Sequence, residues 1–254
     1  MGNTHLGWKA WISPILLILA WWWVSKSGHY STDVLVPPQD VWLSFKELLS
    51  SGELFQHLSV SLTRLAIGFL VGAASGVLFG ILMAVSSQTE AFFLPTFQAL
   101  RQIPTITLIP ILILLLGVDE TFKIIIVFKS AFLTVALAAY EATKGVSKNY
   151  FEVAKIYQLS TYSVYRKLVL PAIVPPVFTG LRIAFSRSWT ILVAAELLAS
   201  DSGIGQMMQL GREMFRLDVV MVGVVITGII GFSIDRILKL GEMKLIPWQN
   251  RQLS

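Results

Sequence analysis

The sequence predicts an all-α membrane protein, with six spans in one domain over residues 1–254. Three observations carry that expectation. First, 55% of the residues are hydrophobic and 14% charged, where a soluble domain carries about a quarter charged, and the mean hydropathy is +0.70. Second, six stretches are apolar over roughly the 20 residues that cross a bilayer. Third, Lys and Arg concentrate in alternate loops. No polar stretch is long enough to fold as a separate soluble domain.

The first span is read at 8–24, "WKAWISPILLILAWWWV". A signal peptide is the rival, but no small-x-small cleavage site follows. Trp21, Trp22 and Trp23 suit an aromatic anchor at the interface. Residues 26–57 form an outside segment. In it, "VLVPPQDVWLSFKELLSSGEL" starts extended before its prolines. Asp40 is expected to cap a short helix that Ser51-Gly52 ends.

The second span, 58–85, places Gly68, Gly72, Gly76 and Gly80 four apart. Small residues at that spacing let two helices approach closely in lipid. The partner helix is expected in the same chain, with a second chain as the other possibility. The third span, 93–117, contains Pro95, Pro104 and Pro110, which free backbone carbonyls. Around them lie Arg101, Gln102 and Thr105. Two readings stay open: a translocation lining, or a kinked structural helix whose Arg101 snorkels to the interface.

The fourth span, 122–140, carries Lys129 deep inside it. A charge at that depth is a functional candidate by default. Phe122, Ala136 and Tyr140 share its face and would complete a mixed aromatic and basic lining. The rival is a structural ion pair with Glu196 of the fifth span, 180–199. The sixth span is 219–238.

Loop charges set the orientation. Residues 144–182 hold six basic residues and one acidic, and 235–254 hold four and two. Residues 26–57 hold two basic and four acidic. The positive-inside rule puts both termini and the 144–178 loop in the cytoplasm. The same rule accounts for the net charge of +5, and nucleic acid is not an expected partner.

Several chemistries are excluded. There are no cysteines, hence no disulfide or thiolate site. His5, His29 and His57 are scattered without metal-ligand spacing. No G-x-x-x-x-G-K-[ST] loop exists, which excludes a P-loop ATPase. No nucleophile–base pattern marks an intramembrane enzyme. No metal or cofactor is expected.

"FEVAKIYQLSTYSVYRKLVLP", residues 151–171, is too polar to span and too aromatic for an idle loop. Val153, Ile156 and Tyr157 share one side; Tyr162, Tyr165 and Val169 share another. Either a cytoplasmic helical pair offers a face to another protein, or an amphipathic helix lies on anionic lipid.

These residues resemble the cytoplasmic loop of permease subunits of binding-protein-dependent ABC importers. That signature reads E-A-A, three residues, G, nine residues, I-x-L-P. Here stand Glu152, Val153, Ala154, then Gln158 at the glycine, Leu168 at the isoleucine, and Leu170-Pro171. Gln158 must either adopt a positive φ or do without the turn. "LRQIPTITLIPILILLLGVDE", "VLPAIVPPVFTGLRIAF", "LVAAELLASDSGIG" and "LDVVMVGVVITGIIG" resemble the branch importing sulfonates, taurine, nitrate or bicarbonate.

The resemblance implies a type I importer permease fold in a bacterial inner membrane. It implies two permease subunits, expected identical and embedded in membrane lipid. Two separate ATPase subunits would dock below, and a periplasmic or lipid-anchored binding protein would deliver the anion. Coupling would fall to Glu152, Val153, Ala154, Tyr157, Gln158, Leu159, Ser160, Leu170 and Pro171. The pathway would be lined by Arg101, Gln102, Thr105, Lys129 and Glu196. A stand-alone secondary transporter is the alternative, but no internal repeat is found.

Overall fold

The computed structural model describes residues 12–27 and 35–245. Residues 8–11 of the first expected span, His5, His29 and the tail from 246 lie outside it, as does the side chain of Val153. Every regular element among the described residues is helical.

The order is α1 (Ile12–Lys26), α2 (Pro38–Ser50), α3 (Glu53–Val85), α4 (Ser87–Gln102), a 3-10 turn (Thr105–Leu108), α5 (Ile109–Leu116), α6 (Glu120–Lys144) and α7 (Lys148–Ile156). Then come α8 (Thr161–Val164), a π-helical turn (Tyr165–Val169), α9 (Leu170–Leu198), α10 (Ile204–Glu213) and α11 (Leu217–Leu245). Among the described residues, four helices are long and apolar enough to cross a membrane: Glu53–Val85, Glu120–Lys144, Tyr162–Leu198 and Leu217–Lys244. The α4–α5 pair passes the same test as one unit bent by 88°.

The glycine stripe organises the bundle. A Cβ on Gly68 would fall 2.7 Å from Val127 Cγ1, and one on Gly72 would fall 2.7 Å from the Phe128 carbonyl. On Gly76 it would sit 2.9 Å from the Phe132 carbonyl, and on Gly80 against that of Ala136. The partner is therefore α6 of the same chain. Four-residue steps on α3 match four-residue steps on α6 in the same sense, so the two helices run parallel. α9 runs antiparallel to α6, with Gly180 against Ala138 at one end. α11 runs antiparallel to α9: Arg182 meets Asp235 at 3.0 Å, while Trp189 donates to the Thr227 carbonyl at 3.1 Å. The core between these helices includes Leu65, Phe122, Ile126, Val127, Trp189 and Leu192.

α2 starts earlier than the expected Asp40 cap. Its N-cap is Pro37, with no side-chain cap bond and Pro38 in the first turn. Proline suits that position because its missing N–H would be unpaired there anyway. Asp40 lies inside the first turn, where the helix dipole favours a carboxylate. Gly52, at φ +80°, turns the chain into α3. Trp21 Nε1 donates to the Val36 carbonyl at 3.0 Å, tying α1 to the entry of α2. Arg216 bonds Glu47 and Asp218, each at 2.8 Å, and so joins α2 to the start of α11. Its hydrogen bond to Glu47 holds that carboxyl below the ordinary carboxylate range.

Candidate functional site: an exposed helical pair and a basic cleft

Two places in the fold carry chemistry that packing alone does not require. The first is the 148–171 segment. α7 ends in a reverse turn at Gln158, which has φ +49°. The Leu159 N–H reaches back to the Ala154 carbonyl at 2.9 Å, the six-residue bond that closes a helix C-terminus around a left-handed residue. Gln158 therefore takes the strained conformation that glycine would take freely.

α8, the π turn and α9 then run on as one helical unit, Tyr162–Leu198. The reason for the π turn lies at Pro171. Proline has no N–H to give to Lys167, and its ring crowds that carbonyl. The bonds shift to longer spacing, with the Leu170 N–H on the Tyr165 carbonyl. No break separates the loop from the fifth apolar stretch.

Ala154 is buried and Val169 packs with Ile173 in the core. Ile156, Tyr157 and Tyr162 are instead 78%, 74% and 69% exposed. Glu152, Leu159, Ser160, Leu170 and Pro171 are also exposed. The segment presents an apolar, aromatic face with nothing from its own chain upon it.

The second place is a cleft of about 140 Å³ between the α4–α5 break, α6 and α9. Arg101, Thr105, Lys129 and Arg187 line it. The Lys129 ammonium donates to the Ile103 carbonyl at 3.3 Å and to Thr105 Oγ1 at 3.4 Å. It thus satisfies a carbonyl that the helix break before Pro104 leaves outside the backbone ladder. No carboxylate lines the cleft. Gln102 is exposed at the end of α4 and does not line it. A larger space of about 400 Å³ adjoins, sharing Thr105, Ser130 and Arg187.

Glu196 is elsewhere. It is 1% exposed, and its carboxylate accepts from Arg64 Nη1 at 2.7 Å, Ser61 Oγ at 2.8 Å and the Gly205 N–H at 3.1 Å. Arg64 also binds Glu120 and the Ser202 carbonyl. The expected Lys129–Glu196 pair is not made. Lys129 lies about 14 Å beyond Glu120 along α6 at 1.5 Å per residue, while Glu196 sits level with Glu120. The shared-face lining also fails. Phe122 and Ala136 are fully buried, and Tyr140 donates to Glu90 at 2.5 Å. Among the described residues no group of three or more His, Asp or Glu could hold a metal.

Sequence reasoning missed Arg64 and Arg187. Arg64 left a signal: an arginine inside an apolar stretch needs a partner. Arg187 left the same signal in the fifth stretch, masked by the basic residues of the loop that precedes it.

Comparison with known proteins follows the same lines. Residues 76–246 match the family described as "Binding-protein-dependent transport system inner membrane component". The aliphatic sulfonates transport permease protein SsuC of Bacillus subtilis (strain 168) is 36% identical over 250 residues, 98% of this chain and 91% of that one. The taurine transport system permease protein TauC of Escherichia coli (strain K12) is 31% identical, covering 92% and 86%. A crystal structure of an amino acid ABC transporter with histidines aligns at a TM-score of 0.61 and 14% identity, covering 80% and 96%. At that identity it shows a shared fold.

Proposed function

The chain belongs to the inner membrane components of binding-protein-dependent transport systems, and from that premise we propose that it passes a small sulfonate or related anion inward as one of two identical subunits. It is a permease subunit of an ABC importer, a multi-pass protein of the inner membrane. It forms the pore, and ATP hydrolysis lies on separate subunits. A binding protein delivers the substrate. Membership sets aside the stand-alone secondary transporter.

The finer reading has its own supports. The substrate is drawn from sulfonates, taurine, nitrate and bicarbonate; relatives named for sulfonates and taurine, and a cleft with three cations and no carboxylate, support an anion of this kind. Homodimerisation is supported by the exposed polar face of α9, Ser186, Arg187 and Thr190. Such a face is costly against lipid and suits a shared aqueous path. The chain crosses six times with both termini cytoplasmic, which the loop charges support.

One observation carries the coupling role. Exposed Ile156, Tyr157 and Tyr162 stand over buried Ala154 on a helical pair whose second arm runs unbroken into α9. Aromatic side chains with nothing upon them make good interface anchors. The ATPase docks there, and its movement reaches the pathway through α9.

The experiment compares wild type with Tyr157→Asp and Ala154→Asp in the reconstituted importer, reading ATPase stimulation by the loaded binding protein. Stimulation should fall at least tenfold in both, with the permease still inserted. Wild-type stimulation in both variants defeats the assignment.

A further inference from the structure

We propose that Arg187 is the residue that selects anions in the pathway, by direct contact with the transported anion. The inference rests on the importer reading and adds which cation touches the cargo.

Arg187 lies 11 residues from the end of α9 at Leu198 and 17 from its start at Leu170. At 1.5 Å per residue that is about 16 Å and about 25 Å of helix, and Arg187 falls inside the apolar stretch 180–199. It is exposed on the single chain, next to Ser186 and one turn from Thr190. A guanidinium held at that depth must face water, a partner or an anion.

Arg64, Lys123 and Arg182 show what pairing looks like in this bundle, while Arg101, at the end of α4, lines the cleft without a partner among the described residues, as Arg187 does. Arg64 bonds Glu196 and Glu120, Lys123 approaches Glu120 at 3.6 Å, and Arg182 bonds Asp235 and Glu242. Among the described residues Arg187 has neither an ion pair nor a hydrogen bond. Lys129, across the cleft, already donates to Ile103 and Thr105 at the broken helix. Its charge adds to the field, but its place is fixed by the break.

Arg187 stands where the 140 Å³ cleft meets the 400 Å³ space. An anion headgroup at the junction would have the guanidinium on one side, with Ser130 and Thr105 hydroxyls beside it. Its organic tail, if present, would extend into the larger space. A planar guanidinium offers two parallel N–H donors to two oxygens of a sulfonate, nitrate or carboxylate. That geometry favours an oxyanion over a halide of equal charge.

The chain has no cysteine, so one reporter thiol can read the field directly. Thr134→Cys places it in the cleft wall. In the assembled importer it is reacted with an anionic sulfonatoethyl and a cationic trimethylammonium-ethyl methanethiosulfonate, both normalised to a free thiol. The anionic reagent should be preferred at least tenfold. Arg187→Gln should lower that preference at least threefold, the remainder coming from Lys129 and Arg101, and Arg187→Lys should keep most of it. Taurine uptake should show a KM raised at least tenfold in Arg187→Gln, with partial recovery in Arg187→Lys.

A reporter with Arg187 intact that shows no anionic preference overturns the proposal, whether or not the variants assemble. So does an unchanged preference and KM in Arg187→Gln. If the wild-type importer moves none of taurine, ethanesulfonate, nitrate or bicarbonate, the substrate reading fails, and the reagent ratio still decides Arg187 alone.

Discussion

Glu196 shows how one side chain can hold a region together. Its carboxylate is the counter-ion of Arg64, and it also accepts from Ser61 and the Gly205 N–H. Ser61 in turn accepts from the Ile204 N–H at 2.9 Å. The 199–205 loop and α10 are thereby fastened to α3. Removing one partner of a buried pair costs about 3 kcal/mol, because the other charge is left uncompensated. Glu196→Gln is therefore expected to lower the yield and thermal stability of the assembled complex. Adding Lys129→Gln should change stability by its separate effect, since the two residues share no partner. A double variant that regains wild-type yield contradicts this assignment. Gln158 gives the opposite sign. A non-glycine residue in the left-handed region is strained by roughly 1 kcal/mol. Gln158→Gly removes that strain while keeping the turn, and the complex should melt higher with ATPase stimulation intact. A lower melting temperature would show that the amide side chain holds the turn by contacts stronger than the strain.

At the scale of elements, two helices set the mechanics. α3 and α6 touch along the glycine stripe, backbone against backbone. Gly72→Ala would drive a methyl to 2.7 Å from the Phe128 carbonyl, and overpacking of this kind costs about 1–3 kcal/mol. Gly228 on α11 has nothing within 4 Å of an added Cβ. Gly228→Ala should therefore leave complex yield unchanged where Gly72→Ala reduces it; equal yields would mean the stripe is slack. The unit Tyr162–Leu198 is the second element. It joins the exposed tyrosines to the cleft, and the proposed coupling role requires it to be stiff. Replacing Arg166 and Lys167 together by glycine softens the π turn, with each glycine weakening a helix by about 1 kcal/mol. The ATPase should still bind, while stimulated uptake falls severalfold. Much at this scale was legible. Spacing of apolar residues gave the long helices, and the Glu152-to-Pro171 pattern marked the exposed helical pair proposed to couple. The rest was not, for physical reasons. Arg64 and Glu196 are 132 positions apart, and no local period links them. The 88° bend at Pro104 brings the Ile103 carbonyl to Lys129, 26 positions away. The place of Arg187 in the cleft depends on where that bend leaves Thr105.

For the whole molecule, the helix directions divide the chain between two ends. α3 and α6 run parallel and α9 opposes them. One end thus holds Gly52, Asp119, the 199–203 loop and Arg216; the other holds Val85, Lys144 and the 148–164 pair. The bent α4–α5 unit connects Val85 at the second end to Asp119 at the first, so it achieves one net crossing despite its break. α10 begins and ends near the first end, so it adds no crossing. The second end carries Lys144, Lys148, Lys155, Arg166 and Lys167, and that excess of lysine and arginine supports the proposal that it is the cytoplasmic one. Single cysteines test this without background, because the chain has none. An impermeant thiol reagent added outside intact cells should label Ser51→Cys and Asp201→Cys. It should reach Lys148→Cys only after the membrane is permeabilised. Labelling of Lys148→Cys from outside would place the exposed tyrosines away from ATP, and the coupling role of the 148–171 segment would fall with the topology.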